Sequence, residues 1–386
     1  MSDPFLDHDW ITEDHRAHAD SVRRFLAEDY QSNRAGWNET GVVGREFWRK
    51  AGDLGILGAS VPEAYGGLGL SRSFDLVTFL EQTRISDTGW GVSVHNIVLH
   101  YVTACGTPDQ QARWLPKLAS GEWVGAIAMT EPGTGSDLQA VRTTAHKDGN
   151  EYVVSGSKTF ITNGQNADFV LVVTKTDPEA GARGISLIAV ETEGAEGFRR
   201  GRNLEKLGMK RQDTSELFFD EVRVPRANLV GEHEGQGFGQ LVTQLPWERL
   251  MVSYMALGSA RAALAMTVDQ VRTRKAFGQR IMDFQNTRFK LAEVKTEIEL
   301  LAAFLDRLTA EMEAGTLTPE RAAMAKLWGT EMQGRTVDTC LQLHGGYGYM
   351  AEYPISELYA DARVQRIYGG TNEIMREIIA RSIDRD

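Results

Sequence analysis

The chain has 386 residues, 42% of them hydrophobic and 25% charged, with a formal net charge of −11. This is the composition of a globular protein of two or three domains. The acidic balance argues against a nucleic-acid-binding surface and against adhesion to anionic lipid, though not against a local basic pocket. Two cysteines, Cys105 and Cys340, form no CxxC pair and no disulfide framework, which suits a reducing compartment. The eight histidines lack metal-ligand spacing, so no metal site is expected. The N-terminus is acidic and has no apolar core, so it reads as neither a secretory signal nor an Arg-rich transit peptide. No aliphatic run approaches the length of a membrane span, and a cytoplasmic protein is expected.

The first 125 or so residues read as helical. Val22, Phe25 and Leu26 fall at helical spacing between Asp14 and Tyr30, and Phe47, Trp48, Ala51 and Leu54 repeat the pattern. A glycine-rich loop, Pro62 to Gly69, precedes a further helix over Phe74 to Thr83. Thr107 can cap the next, with Pro108 in its first turn and Gln110 reaching back as a capping box. Near residue 126 the pattern changes to period two. Thr143 to His146 and Tyr152 to Ser155 flank Asp148-Gly149-Asn150, a hairpin turn by composition. Phe169 to Thr174, Ile185 to Val190 and Glu216 to Val224 follow as strands, and together they suggest a small sandwich or barrel. From about residue 240 the chain is helical again. Leu291, Val294, Ile298, Leu301, Leu305, Leu308 and Met312 alternate three and four apart, the seam of an antiparallel bundle. Gly315 ends that helix and Thr318-Pro319 starts the next. Strands confined to the middle third argue against a doubly wound sheet. Gly346-x-Gly348-x-x-Ala351 follows a helical segment and is rejected as a dinucleotide fingerprint.

Several segments carry side chains suited to chemistry. Gln244 to Met251 sets one carboxylate, Glu248, between apolar neighbours near the start of a long helical segment. A lone glutamate in a helix is ordinarily a solvated surface residue. Met129 to Asp137, at a helix-to-strand junction, combines glycines that admit a ligand to the backbone with Thr and Ser hydroxyls. Phe160 and Thr162, two apart on an extended segment, face one side, where the aromatic can cover a planar ring. Arg274 to Gly278, with Phe284-Gln285, offers a guanidinium suited to a pyrophosphate. Gln342 to Tyr349 and Tyr368 to Glu373 are glycine-rich breaks beside helices, where phosphates bind readily. Taken singly, each has a plain explanation: a linker, a strand end, a basic helix terminus or a cap.

In this order the segments resemble the acyl-CoA dehydrogenase family across nearly the whole chain. The matches are Met129 to Asp137, Phe160-Ile161-Thr162, Arg274 to Gly278 with Gln285, Gln342 to Tyr349, and Tyr368 to Glu373. The resemblance implies a multi-domain α+β fold: an N-terminal helical domain (1–125), a middle β-barrel or sandwich (126–236) and a C-terminal four-helix bundle (237–386). It implies FAD, and a homotetramer built as a pair of dimers. Ile127, Met129, Thr130, Gly135 and Ser136, with Phe160, Ile161 and Thr162, would line the flavin. Arg274, Phe277, Gln285, Gln342, Leu343, His344, Gly345 and Gly346 would reach the FAD of a neighbouring subunit, and Thr371, Asn372 and Glu373 would contact FAD again. Ser136, Ala182, Arg183, Pro246, Trp247, Arg249, Gly369 and Gly370 would hold the acyl-CoA.

One departure bears on mechanism. Many members carry their catalytic Glu directly after the Tyr of a Tyr-Glu-Gly-Thr motif, a position that is Gly369 here. A smaller branch, with the long-chain and isovaleryl-CoA enzymes, places it on a bundle helix, and Pro246 to Leu250 matches the long-chain type. The resemblance thus implies Glu248 as the α-proton base, with hydride passing to flavin N5 and electrons onward to an electron-transfer flavoprotein. Gly369 would keep the backbone N–H that helps bind the thioester oxygen as enolate charge develops. Pro246, Trp247 and Leu250 are expected to desolvate Glu248 and raise its pKa toward neutral, against a helix N-terminus or Arg249. The expected substrate is a medium- or long-chain fatty acyl-CoA of β-oxidation. Rival readings are a branched short-chain enzyme, a flavin oxidase or monooxygenase, and a non-catalytic acyl-CoA-binding relative. Gly239, Ala256 and Gly258 would either deepen the acyl pocket or serve bundle packing. Smaller departures are Thr134, Phe160 and Glu357, where a small residue, Trp and a basic residue are usual. A bacterial cytoplasm is expected, or a mitochondrial matrix for a mature eukaryotic chain.

Overall fold

A computed structural model describes residues 3–384. α1 (Glu13–Phe25) opens on a capping box between Thr12 and His15 and buries Ala19, Val22 and Phe25. One wide turn, Leu26–Tyr30, leads into α2 (Gln31–Thr40), which ends at Gly41 with a φ of +67°. α2 buries none of its residues, so no apolar period announces it and the sequence pattern stops at Tyr30. α3 (Arg45–Asp53) buries Phe47, Trp48 and Ala51, but Leu54 falls beyond it and is 50% exposed. α4 (Ser73–Arg84), α5 (Val92–Cys105) and α6 (Pro108–Ala119) follow, the last with the expected Thr107–Gln110 capping box. α4 is buried from Ser73 to Thr83 and α5 along most of its length. Some of their polar side chains find partners inside the protein. His100 Nε2 meets Asp75 Oδ2 at 2.8 Å, and His95 Nε2 meets the Leu118 carbonyl at 3.0 Å.

β1 (Gly125–Ala128), β2 (Thr144–Asp148), β3 (Glu151–Thr162), β4 (Phe169–Lys175), β5 (Ile185–Glu191), β6 (Phe198–Asn203) and β7 (Thr214–Pro225) form one seven-stranded sheet. β1 and β2 share one edge of β4 while β5 takes the other, so the sheet curls. Phe169, Leu171 and Val173 face the helical core; Val170 and Val172 face the inside of the curl. Burial on both faces explains why β4 reads as a continuous apolar run. β6 was not anticipated: it is an edge strand carrying Arg199, Arg200 and Arg202, with no apolar alternation to announce it.

α7 (Gly237–Thr273) is the axis of the molecule, packed against α4 and α5. A small hairpin, β8 (Lys275–Ala276) and β9 (Gln279–Arg280), joins it to α8 (Gln285–Glu313). α9 (Pro319–His344) and α10 (Pro354–Ala362) also pack on α7, and α11 (Asn372–Ile383) packs on α9. By length and composition α7 is apolar enough to cross a membrane, but 78% of its most apolar window is buried inside the protein. The helix begins well before Pro246, so that proline stands inside it. Glu248 accordingly lies about three turns along, not near the helix start as expected. The seam residues Leu291 to Leu308 are buried and Met312 packs against them. One core joins Phe47 and Trp48, Leu171 and Leu187, Leu250 and Leu257, and Leu301 and Leu305.

An ion cluster reinforces this junction. Arg211, between β6 and β7, donates to Tyr30 Oη at 3.2 Å and to Asn38 Oδ1 at 2.5 Å, and pairs with Asp87 at 2.6 Å. Glu357 of α10 bonds both Arg211 and Arg34. The acid at position 357, a departure by resemblance, thus has two arginine partners.

Candidate active site

Glu248 is buried where α7 meets α5, with 6% of the residue exposed. Tyr101 Oη donates to its Oε1 at 3.1 Å. Burial pushes the carboxyl up to about 7, against the Tyr101 hydroxyl and the Arg249 guanidinium, which pull it down. The direction is the expected one, but the helix N-terminus is too far away to take part. Tyr101 acts in its place, and sequence reasoning missed it: an aromatic on a helix buried all round looks like any other core residue. Trp247, next to the carboxylate, is turned into the core. Its ring centroid lies 4.1 Å from that of His100, and the Arg72 guanidinium stands 5.9 Å over it.

Arg249 reaches the loop before α11, where its Nε donates to the Gly369 carbonyl at 3.4 Å. Lys326 of α9 donates to the Gly370 carbonyl at 2.8 Å and to Asn372 Oδ1 at 2.9 Å. Gly369 and Gly370 have φ of +64° and +88°, a region that side chains disfavour. Space is not the constraint at Gly369, where a Cβ would meet nothing nearer than Val252 at 3.9 Å. Thr371 caps α11 through the Ile374 N–H, and Glu373 is exposed in its first turn.

The segment Met129 to Asp137 follows β1, a strand, rather than the expected helix. It is bonded to the end of β3. The Thr159 N–H donates to the Thr130 carbonyl at 2.9 Å, and Lys158 Nζ donates to the Met129 carbonyl at 3.1 Å and to Glu131 Oε1 at 2.9 Å. Burial lowers the Lys158 ammonium to about 8, Glu131 opposing. The outer residues are open. A Cβ on Gly133 or Gly135 would touch nothing, and Ser136 is exposed. Phe160 is 67% exposed and sits at a φ of +60° on a β-bulge, which breaks the regular extended segment expected there. Ile161 is buried, while Thr162 and Ile127 are half-buried. Thr134 closes the loop by donating to the Ala140 carbonyl at 3.1 Å.

A second set stands apart. Arg274 lies roughly 40 Å from Glu248 along the axis of α7. Its guanidinium stands 5.7 Å over the Tyr347 ring, which makes the hairpin a neighbour of Gln342 to Tyr349. Phe277 is 97% exposed, Gln285 and Gln342 are exposed, and Gly345 and Gly346 face open space. Leu343 is half-buried, and His344 is buried with Nδ1 at 2.9 Å from the Cys340 carbonyl.

Ala182 and Arg183 form a turn whose Arg183 carbonyl abuts Gly235, just before α7. Nearby, a cleft of about 460 Å³ is lined by Gly239, Gln240 and Gln244 of α7 and Cys105 of α5. Gly258 serves packing instead. A Cβ there would lie 2.0 Å from Thr83 Oγ1, so the glycine lets α7 approach α4. Ala256 is fully buried. Among the described residues, no three His, Cys, Asp or Glu side chains stand together as a metal-binding group.

Three family models match the chain in succession: "Acyl-CoA dehydrogenase, N-terminal domain" over residues 12–122, the middle domain over 126–222 and the C-terminal domain over 235–383. The chain belongs to the acyl-CoA dehydrogenase family. It is 46% identical over 379 residues to the mitochondrial long-chain specific acyl-CoA dehydrogenase of Sus scrofa, covering 97% of this chain and 88% of that one. To the mitochondrial isovaleryl-CoA dehydrogenase of Pongo abelii it is 36% identical over 346 residues, covering 89% and 81%. Its fold matches the crystal structure of an acyl-CoA dehydrogenase from Geobacillus kaustophilus with a TM-score of 0.95 at 45% identity, over 98% of this chain and 100% of that one. Acyl-CoA dehydrogenases are flavoprotein oxidoreductases that use FAD. The donor set of this dehydrogenase fits that cofactor: open glycine backbone at Gly133 and Gly135, hydroxyls at Thr130 and Ser136, and an exposed aromatic at Phe160.

Proposed function

We propose that Glu248 is the base that removes the α-proton of an acyl-CoA thioester in its α,β-dehydrogenation to the trans-2-enoyl-CoA. The observation that carries this reading is a buried carboxylate poised near neutral pH, hydrogen-bonded by Tyr101 and adjacent to the Arg249 that grips the Gly369 carbonyl. A general base works best with its pKa near the operating pH. The α-carbon acid is weak, so charge developing on the thioester oxygen needs a hydrogen-bond donor. The Gly369 N–H supplies one, a role that needs backbone and no side chain. Met129 to Ser136 and Phe160 to Thr162 would hold FAD, which when bound would supply the hydride acceptor for the β-hydrogen.

The linear-chain side of the family, medium or long, is the proposed substrate range, supported by the higher identity to the long-chain enzyme. Electrons leave to an electron-transfer flavoprotein. The distance between Glu248 and Arg274 supports a shared site, in which Arg274, Phe277, Gln285 and Gln342 to Gly346 serve the FAD of a neighbouring subunit of a homotetramer.

The test is anaerobic mixing of the FAD-loaded protein with short, branched and long acyl-CoAs while flavin absorbance is followed. Wild-type protein is expected to bleach with linear medium or long chains. Glu248→Gln is expected to bind them and stay yellow. Bleaching of that variant at the wild-type rate sinks the assignment of the base.

A further inference from the structure

Lys326 is buried with 0% of its surface exposed, and the reaction as described makes no use of it. An ammonium in such a place is costly unless it is well bonded. Its partners are two neutral oxygens of the loop that carries Gly369: the Gly370 carbonyl and Asn372 Oδ1. Asn372 is fixed in turn, because its Nδ2 donates to Glu331 Oε1 at 2.9 Å and to Thr330 Oγ1 at 3.1 Å. Arg249 holds the preceding carbonyl. Two cations from two helices thus grip consecutive carbonyls of a loop whose glycines have no side chains to anchor them.

We propose that Lys326 is a positioning residue, fastening the Gly369–Gly370 backbone so that the Gly369 N–H is presented to the thioester oxygen of the substrate. This rests on the reading of Gly369 as that donor. The geometry suits lysine: one compact ammonium reaches two oxygens from residues two apart, Gly370 and Asn372.

A pH signature follows. The charged groups facing Lys326 are Arg249 of α7, Glu331 of α9 and Glu373 of α11, with Arg366 and Arg376 paired to Glu331. Burial, then Arg249, pushes the ammonium down to about 7, while Glu373 and Glu331 oppose. Its charge is lost as pH rises through neutrality, where Glu248 gains the charge it needs as a base. Lys326 therefore contributes a descending limb to flavin reduction, and Glu248 the ascending one.

The experiment is anaerobic stopped-flow reduction of the FAD-loaded enzyme by an acyl-CoA that the wild type oxidises, over about pH 6 to 9, with Lys326→Met and Lys326→Gln. Lys326→Met is expected to reduce flavin at least about tenfold more slowly, with the acyl-CoA dissociation constant changed by less than about threefold, as a displaced donor would do. The descending limb should flatten. Lys326→Gln keeps a neutral N–H donor and should fall between, also with a flat limb. Wild-type rates and an intact descending limb in both variants overturn the proposal. If Lys326→Met fails to fold or to hold FAD, the Gln variant decides by the same two readouts. A wild type that no acyl-CoA reduces is a failure of the Glu248 reading, distinct from either result.

Discussion

Glu248 owes its poise to burial, and the hydroxyl of Tyr101 keeps that burial from going further. A donor to the carboxylate favours the charged form, so removing it raises the pKa. With Glu248 as the proposed base, the ascending limb of kcat/KM against pH reports its carboxyl in the free enzyme and is expected near pH 7 in the wild type. Tyr101→Phe should move that limb up by about one unit, since a hydrogen bond to a charged group contributes about 1.5–3 kcal/mol and one unit is about 1.4 kcal/mol. A pH–rate series on the two proteins measures it, and an unmoved or lowered limb would show that the 3.1 Å contact does not act on the base. Glu248 was legible as a candidate base only because Pro-x-Glu-Arg-Leu resembles the long-chain branch of the family; read alone it is an ordinary helix glutamate. Its partner was not legible, because no local pattern ties residue 101 to residue 248; only the packing of α5 on α7 does.

Among the elements, those with an apolar period or an apolar run announced themselves, and those that bury none of their residues did not. The α8 seam and the Thr107 and Thr318 caps could be read directly, since a 3.6-residue period and a capping hydroxyl are local facts. α2 buries no residue and β6 is a charged edge, so neither left an apolar signature. The start of α7 was read at about residue 240, close to its Gly237, but Glu248 was placed near the start of the helix when it lies about three turns along. Gly258 shows what an apolar pattern conceals. It was a candidate for pocket depth, yet it marks the close approach of α7 to α4, where Thr83 Oγ1 already bonds the Phe79 and Leu80 carbonyls and cannot swing away. Gly258→Ala should therefore cost about 1–3 kcal/mol by overpacking. Thr83→Ala in the same chain should recover part of it, because the obstructing hydroxyl is gone. Denaturant melts of the two single variants and the double variant test this; additive losses would mean that the two residues do not meet.

At the scale of the whole molecule, three parts are held by a shared core and an ion cluster, and the charges of the cluster can be removed with every apolar residue of the core left in place. Arg211 carries most of it: its side chain is 1% exposed and its partners come from the N-terminal helices, from Asp87 and from α10. Breaking a buried ion pair from one side strands the other charge, at a cost of about 3–5 kcal/mol. Arg211→Leu should lose up to about that much, chiefly because Asp87, itself fully buried, keeps only the more distant Arg34 guanidinium, 3.8 Å from its Oδ2. Asp87→Asn in the Arg211→Leu chain should then restore stability rather than lower it further, the reverse of two independent losses. Both variants should still melt in one transition, because the core that joins Trp48, Leu187, Leu257 and Leu301 is intact in each. Two separated transitions would mean that the cluster, and not the apolar core around α7, makes the three parts fold as one.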